Sequence, residues 1–127
     1  MLLDTHSFLW WITDDPRLSE IARDAITDAD EQAIHVSTVS AWEMAIKASL
    51  GRLKLQTKVR SLFPDQLAQN RFTELPIQFQ HVAMVQDLPF HHKDPFDRLL
   101  VCQALDAGLR LVSGDRLLDR YGIQRIW

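Results

Sequence analysis

Short apolar segments alternate with helix-forming segments along this chain, and this alternation restricts the possible folds more than any other sequence feature. We expect strands at residues 1–3, 33–37, 72–77, 109–113 and 122–127. The strand at 72–77 contains Pro76, which cannot donate a ladder hydrogen bond, so we place it at an edge of the sheet. Strands that alternate with helices form a largely parallel sheet that helices cover on both faces. The sequence therefore predicts an α/β protein.

Capping residues mark where several helices begin and end. We expect helices at 20–26, 41–50 and 94–108, and a helical hairpin over 57–70. Ser19 is a preferred N-cap for the first of these helices, and Gly51 ends the second. Pro64 predicts the interruption of the hairpin. The helix at 94–108 is the most strongly predicted, because Pro95 stands at its first position.

Length and composition predict one domain that spans residues 1–127 and is large enough to bury a core, since 46% of the residues are apolar. The single cysteine, Cys102, allows no internal disulfide and favours a reducing compartment. An acid directly follows the first apolar segment, so we expect neither a signal peptide nor a membrane span. These features predict a cytoplasmic protein with no membrane partner.

Charge is distributed unevenly along the chain. The formal net charge of -3 argues weakly against a nucleic-acid partner. Residues 44–64, however, contain bases and no acid, and we call their bases the basic block: Lys47, Arg52, Lys54, Lys58 and Arg60. The basic block could contact phosphates. Taken alone, it is explained better as a solvated helix face or a docking surface for a protein.

Acidic residues recur just after predicted strands or in the first turn of the following helix. They are Asp4, Glu43, Asp94, Asp97 and Asp115. In an alternating α/β chain these positions lie along one edge of the sheet, where open α/β proteins bind ligands. Helix capping explains each acid on its own, and Ser40 to Glu43 even fits a capping box. For Asp4 the two explanations are equally good.

Crowding of these acids favours a metal site over capping alone. Carboxylates at one edge repel one another and raise each other's pKa, so we expect a cation among them. Mg²⁺ or Mn²⁺ fits, because hard cations take oxygen ligands and leave positions for phosphate oxygens. Zinc is disfavoured, since His91, His92 and Asp94 lie in one loop without a second ligand group. No glycine-rich phosphate-binding motif or nucleophile elbow is present.

Four motifs, in order along the chain, closely resemble the PIN-domain family. They are Leu3-Asp4-Thr5-His6, the run from Val36 to Lys47 with Ser37, Ser40, Trp42 and Glu43, His92-Lys93-Asp94-Pro95-Phe96-Asp97-Arg98-Leu99-Leu100, and Leu111-Val112-Ser113-Gly114-Asp115. Within the family the chain most resembles the VapC-type ribonuclease toxins of bacterial toxin–antitoxin pairs. The resemblance implies a three-layer α/β/α sandwich with a largely parallel central sheet. It also implies an endoribonuclease dependent on Mg²⁺ or Mn²⁺, often a homodimer, that an antitoxin holds inactive.

The resemblance further implies roles for individual residues. The catalytic and metal-binding acids of the family correspond to Asp4, Glu43, Asp97 and Asp115 of this chain. Asp94 is shared with one subgroup only and is a possible additional site residue. Thr5 and Ser113 stand beside acids of the site and are expected to hold metal ligands in place.

Two functional hypotheses follow. In the first, the protein is an RNA-cleaving toxin in which Asp4 and Asp97 are the principal metal ligands. Asp115 and Glu43 then complete the site or orient water, and the basic block steers the RNA backbone. In the second, it is a non-catalytic α/β binding module whose acids are helix caps. An aspartyl phosphatase is disfavoured, because His6 stands where the second acid of such enzymes is needed.

Trp10 and Trp11 carry a separate expectation. Neighbouring side chains on a helix cannot both face the same core, so we expect one of the two to be exposed. An exposed aromatic residue beside the acidic edge would suit an apolar anchor of an antitoxin. The alternative is that the pair spans two small cores.

Overall fold

A computed structural model describes residues 1–127 as a five-stranded sheet between two layers of helices. The strands are β1 (Leu2–Leu3), β2 (His35–Ser37), β3 (Thr73–Leu75), β4 (Leu111–Val112) and β5 (Arg125–Ile126). The helices are α1 (Thr5–Ile12), α2 (Glu20–Thr27), α3 (Thr38–Ser49), α4 (Val59–Asn70), α5 (Phe79–Met84) and α6 (Pro95–Ala107), with 3-10 turns at Val85–Asp87 and Arg116–Tyr121. None of the helices combines the length and apolar character needed to cross a bilayer.

The sheet is parallel throughout, with the strand order β3-β2-β1-β4-β5. β3 lies at an edge, as Pro76 predicted. The chain first adds β2 and β3 on one side of β1 and later places β4 on the other side, so the strand order reverses at β1. Strand ends at such a reversal form the crevice in which α/β proteins bind ligands. The predicted α/β fold with a largely parallel sheet is confirmed.

Alternating side chains along the strands build one core on each face of the sheet. Leu3, Val36 and Val112 are in register across β2, β1 and β4 and belong to the first core. Leu2 and Leu111 point the opposite way and belong to the second. The first core is completed mainly by Phe8, Ala22, Ile26, Met44, Phe63 and Leu67, and the second by Leu99, Leu100, Val101, Cys102 and Ala104. Both faces of the sheet are thus covered, which completes the three-layer sandwich.

α3 begins earlier than predicted. Its N-cap is Ser37, the last residue of β2, whose hydroxyl accepts a hydrogen bond from the Val39 N–H at 2.9 Å. Ser37 is buried and also donates to Gln103 of α6, so the packing of two elements fixes the helix start at the strand end. Ser40 and Glu43 therefore lie inside the helix, and the predicted capping box is wrong.

α4 is one helix rather than the predicted interrupted hairpin. Pro64 lies inside it, where proline costs about 3 kcal/mol in a helix interior. Phe63 and Leu67 of the same helix are buried in the first core. Burial of two such side chains contributes about 3–6 kcal/mol, which is enough to offset the proline.

The expectation that Trp10 or Trp11 is exposed is wrong, since both are half-buried against the first core. The Trp10 ring lies 5.8 Å from that of Trp127, the residue after β5. Trp11 packs near Phe72, and its indole N–H donates to the Asn70 side chain at 2.8 Å. Chain segments on both sides of α1 thus cover the pair. The exposed tryptophan of the protein is Trp42 on α3, at 46% exposure.

Candidate active site

The reversal of strand order brings three predicted acids into one cavity. Asp4 follows β1, Asp115 follows β4, and Asp97 lies in the first turn of α6. Together with His6 and Ser113 they line a space of about 210 Å³. We call this space the acidic cavity. Glu43 and Asp94 lie outside its lining.

Asp4 is both a helix cap and a wall of the acidic cavity. One carboxylate oxygen accepts a hydrogen bond from the Ser7 N–H at 2.7 Å and so caps α1. Burial raises the pKa of Asp4, and hydrogen bonds from Ser113 and Ser7 oppose part of that rise. Ser113 is itself fully buried, so its hydroxyl is fixed beside Asp4. Asp4 therefore acts as a helix cap and lines the acidic cavity at the same time, so the two explanations of this residue do not exclude each other.

Asp97 carries the strongest sign of crowded negative charge. Burial and the nearby charges of Asp94, Glu43 and Asp4 raise its pKa to about 6, although His92 acts in the opposite direction. The Asp97 carboxylate accepts no hydrogen bond from any protein group, so nothing in the protein neutralises it directly. A carboxylate in this position is stabilised by a cation.

Asp115 is held by His92, a residue of the third PIN-like motif to which the sequence assigned no role in the acidic site. One Asp115 oxygen lies 2.6 Å from the His92 Nε2 atom, and the other accepts the Leu117 N–H at 2.9 Å. Although partial burial alone would raise it, these hydrogen bonds lower the pKa of Asp115. On the other side of the His92 ring, Nδ1 lies 3.1 Å from the Tyr121 hydroxyl. The His92 ring is thereby oriented toward Asp115. In the sequence, the position of His92 directly before Lys93-Asp94-Pro95 is the only indication of this role.

Glu43 is buried in the second turn of α3, and both of its oxygens have partners. Its Oε1 atom accepts from the Thr5 hydroxyl at 2.8 Å, and its Oε2 atom accepts from Lys47. Thr5 thus holds an acid, although a different one from its sequence neighbour Asp4. The sequence analysis did not predict the contact between Glu43 and Lys47, although their spacing of four residues on one helix favours such an ion pair.

Asp94 acts as the N-cap of α6. Its Oδ1 atom accepts hydrogen bonds from the N–H groups of Phe96 at 2.8 Å and Asp97 at 3.2 Å. Asp94 influences the acidic cavity through space, since its charge helps raise the pKa of Asp97. The structure therefore places it as a helix cap adjacent to the site.

Arg98 holds the segment before His92 in place, a role that the sequence did not predict. Its buried guanidinium donates hydrogen bonds to the backbone carbonyls of Pro89, Leu88 and Val85, at 2.9, 3.0 and 3.1 Å. These carbonyls belong to the segment that leads to His92. Arg98 therefore ties the position of His92 to α6, the helix that carries Asp97.

The donors of the acidic cavity fit a hard divalent cation. The structure contains no group of three or more His, Cys, Asp or Glu side chains arranged closely enough to bind a metal ion together. Asp4, Asp97 and Asp115 nevertheless offer only oxygen donors to one cavity, the chemistry that Mg²⁺ and Mn²⁺ prefer. Burial disfavours the charge of Asp4, and burial together with repulsion from nearby carboxylates disfavours that of Asp97. These three residues could hold the ion, whereas Glu43 is engaged by Thr5 and Lys47.

Comparisons with known proteins relate this chain to the PIN-domain family and to VapC and VapBC proteins. The family model described as PIN domain matches residues 1–124. Ribonuclease VapC22 of Mycobacterium tuberculosis is 37% identical over 121 residues, which cover 93% of this chain and 88% of that protein. The DNA-bound VapBC structure from Salmonella typhimurium has a TM-score of 0.70 at 20% identity, with 98% of this chain and 94% of that chain covered. VapBC2 from Rickettsia felis, bound to a promoter DNA fragment, has a TM-score of 0.67 at 13% identity, with 99% and 98% covered.

Proposed function

The chain belongs to the PIN-domain family and within it to the VapC type, and from this membership and the acidic cavity we propose that it is an endoribonuclease dependent on Mg²⁺ or Mn²⁺. We further propose that it acts as the toxin of a toxin–antitoxin pair. Asp97 supports this function most directly, because burial and the nearby charges of Asp94, Glu43 and Asp4 raise its pKa to about 6. A site that binds and cleaves a phosphodiester through a divalent ion needs such an arrangement.

Asp4 and Asp97 are the proposed principal ligands, and Asp115 completes the set. When bound, the divalent ion makes water acidic enough to supply a nucleophile and neutralises charge that develops on the phosphate. Ser7 and Ser113 hold the Asp4 carboxylate, and His92 holds that of Asp115. These contacts preorganise the ligands, which reduces the rearrangement needed when the ion and the RNA bind.

Glu43 is proposed to orient the attacking water. It lies near enough to the acidic cavity for its charge to raise the pKa of Asp97. Thr5 and Lys47 fix both of its oxygens, so the carboxylate is held in one orientation. Lys47 also places a positive charge directly against this buried carboxylate.

RNA is the proposed substrate and a cognate antitoxin the proposed protein partner, with the cytoplasm as the place of action. The relative that shares 37% identity is named a ribonuclease, and the two solved structures are of VapBC assemblies. In the resemblance described above, VapC-type proteins are the toxins of such pairs. An antitoxin that covers the acidic cavity would exclude RNA from the proposed ligands.

We also propose a homodimer joined through the outer face of α5. Phe79 is 86% exposed and Val82 lies three residues later on the same face. Leu105 of α6 is exposed nearby, next to Asp106, which contacts Gln80 of α5. An apolar face of this kind is suited to contact a second copy of the chain.

The alternative, a binding module whose acids are caps, receives some support from the structure. Asp4, Asp94 and Asp115 each accept a backbone N–H at a helix start. Capping does not, however, explain the buried Glu43 inside α3 or the unpartnered carboxylate of Asp97. The alternative therefore leaves the placement of these two acids unexplained.

Metal-dependent cleavage tests the proposal. The purified protein is treated with EDTA and incubated with a panel of cellular RNAs, with and without Mg²⁺. We expect cleavage only with the metal, and loss of both cleavage and calorimetric metal binding in Asp4→Asn. Asp24→Asn is the matched control, because Asp24 is an exposed acid of α2 outside the site. Full activity of Asp4→Asn after Mg²⁺ is restored would contradict the assignment.

A further inference from the structure

A second, larger cleft adjoins the acidic cavity. It has a volume of about 560 Å³ and is lined by residues of α1, α3 and the segments that follow them. His6 lines both the cleft and the acidic cavity, so the two spaces meet at its side chain. Thr5 and Glu43 form part of the cleft wall near this junction. A phosphate held in the acidic cavity would therefore have one neighbouring nucleotide in or beside the cleft.

The cleft carries positive charge that the protein leaves without a partner. Its two acids are each paired with a cation, Asp15 with Arg17 and Glu43 with Lys47. Arg52 and Lys54 line the same cleft, are exposed, and form neither an ion pair nor a side-chain hydrogen bond. Exposed cations that face a concave surface bind phosphate groups and release counterions when they do so.

The other wall of the cleft is apolar and aromatic. Leu9, Trp10 and Leu53 contribute to it, and the exposed His6 ring lies 5.5 Å from the Trp10 ring, tilted by 42°. Trp127 supports Trp10 from another side, which keeps the indole in place. Aromatic side chains beside a cationic groove bind unpaired bases by stacking, which contributes about 1–3 kcal/mol per base.

We propose that this cleft is a subsite for single-stranded RNA and holds the nucleotide next to the scissile phosphate. Arg52 and Lys54 bind the outer phosphate of that nucleotide, and His6 and Trp10 contact its base. This subsite rests on the proposed function, since the acidic cavity is what places the scissile phosphate. Bases in a duplex are stacked and paired and cannot enter such a cleft, so the chemistry selects an unpaired strand.

The test measures RNA binding separately from cleavage. Every protein in the binding assay carries Asp97→Asn, which is expected to abolish cleavage. A labelled single-stranded RNA then stays intact during a fluorescence anisotropy titration. In this background we expect Arg52→Ala/Lys54→Ala to weaken binding about tenfold or more and to reduce the salt slope by roughly 0.7, the contribution of one neutralised phosphate on a single strand. Arg110→Ala/Arg120→Ala is the matched control, because it removes equal charge from two exposed residues that line neither the cleft nor the acidic cavity. This control should bind within about threefold of the background.

A base contact and a strand preference are tested in the same assay. His6→Ala should weaken binding of the single strand, because it removes an exposed ring from the cleft. A duplex of the same sequence should compete poorly. With Asp97 intact, Arg52→Ala/Lys54→Ala should raise KM and leave kcat nearly unchanged, as expected when binding is lost equally in ground and transition states.

Each outcome distinguishes the subsite from the proposed function. Equal loss of binding in the two double variants, or equal affinity for duplex and single strand, would overturn the subsite while cleavage by the unmutated protein continued. Absence of cleavage with any divalent ion would instead contradict the proposed function. Circular dichroism of each variant provides the folding control.

Discussion

Asp97 shows how the surroundings of a single side chain indicate its chemistry. Burial and three neighbouring carboxylates raise its pKa to about 6. Asp115, an acid of the same cavity, has its pKa lowered because His92 and a backbone N–H donate to it. Two identical side chains in one small cavity thus differ in charge preference, and the difference comes from contacts rather than from residue type.

The first prediction concerns the stability of the metal-free protein. A carboxyl whose pKa is raised by folding destabilises the folded state at high pH, and this cost disappears as the pH falls below the unfolded value. Asp97→Asn should therefore raise the free energy of unfolding at about pH 7.5, and the gain should vanish at about pH 3. The shift from 3.8 to about 6 corresponds to about 3 kcal/mol, and solvent screening of this partly buried group reduces our expectation to about 1–2 kcal/mol.

Urea denaturation in EDTA-treated buffer at the two pH values measures this gain. Asp24→Asn controls for the loss of an acid far from the site. An equal gain for Asp97→Asn at both pH values would show that the effect is not electrostatic.

At the scale of elements, most of the acids in or beside the site are the N-cap residues of helices. Asp4 caps α1, Asp94 caps α6, and Asp115 caps the 3-10 turn at Arg116–Tyr121. Each of these starts lies just beyond a strand or beside the strand ends, so capping and site formation use the same positions. The exception is α3, where Ser37 supplies the cap and Glu43 is left free to interact with Thr5 and Lys47.

The second prediction separates capping from catalysis in α6. Serine caps a helix nearly as well as aspartate, so Asp94→Ser should keep the melting temperature and much of the ribonuclease activity. Asp97→Ser should lose activity, because the Asp97 carboxylate is a proposed ligand. Thermal unfolding and RNA cleavage are measured on both variants. If both lose activity equally with unchanged melting temperatures, Asp94 is a site residue as well as a cap.

At the scale of the whole molecule, the outer helical layers differ in what they leave exposed. Trp10 and Trp11 of α1 are half-buried against the first core, whereas α5 and α6 leave Phe79, Val82 and Leu105 in solvent. The cleft of the proposed subsite is lined by α1, α3 and the segments that follow them, and by no residue of α5 or α6. A dimer formed there would be independent of the proposed subsite beside α1 and α3.

The third prediction tests this dimer. Light scattering coupled to size-exclusion chromatography should give the mass of two chains for the unmutated protein. Phe79→Asp should give the mass of one chain, because a charge in an apolar interface is costly to bury. Ile21→Asp is the control, since Ile21 is also exposed, at 64%, but lies on α2. A monomer in the unmutated protein, or a dimer in Phe79→Asp, would contradict the assignment.

The sequence by itself determined the strands, the α/β class, the cap of α6 and the acids available to the site. These features depend on short-range rules: apolar runs form strands, prolines favour first helical turns, and acids follow strand ends in alternating chains. The edge position of β3 followed in the same way from Pro76. The family resemblance added the roles of the acids, of which the structure gathers Asp4, Asp97 and Asp115 in one cavity.

Only the tertiary structure decided which partner each polar group has and where packing overrides local preference. His92 meets Asp115 across 23 residues, and Glu43 meets Thr5 across 38, because the parallel sheet brings the segments that follow β1, β2 and β4 to one edge. Pro64 stays inside a helix, and Trp10 and Trp11 are both covered, because neighbouring segments bury their surroundings. Burial and long-range pairing are properties of the packed molecule, and local sequence rules contain no information about which distant side chain will supply them.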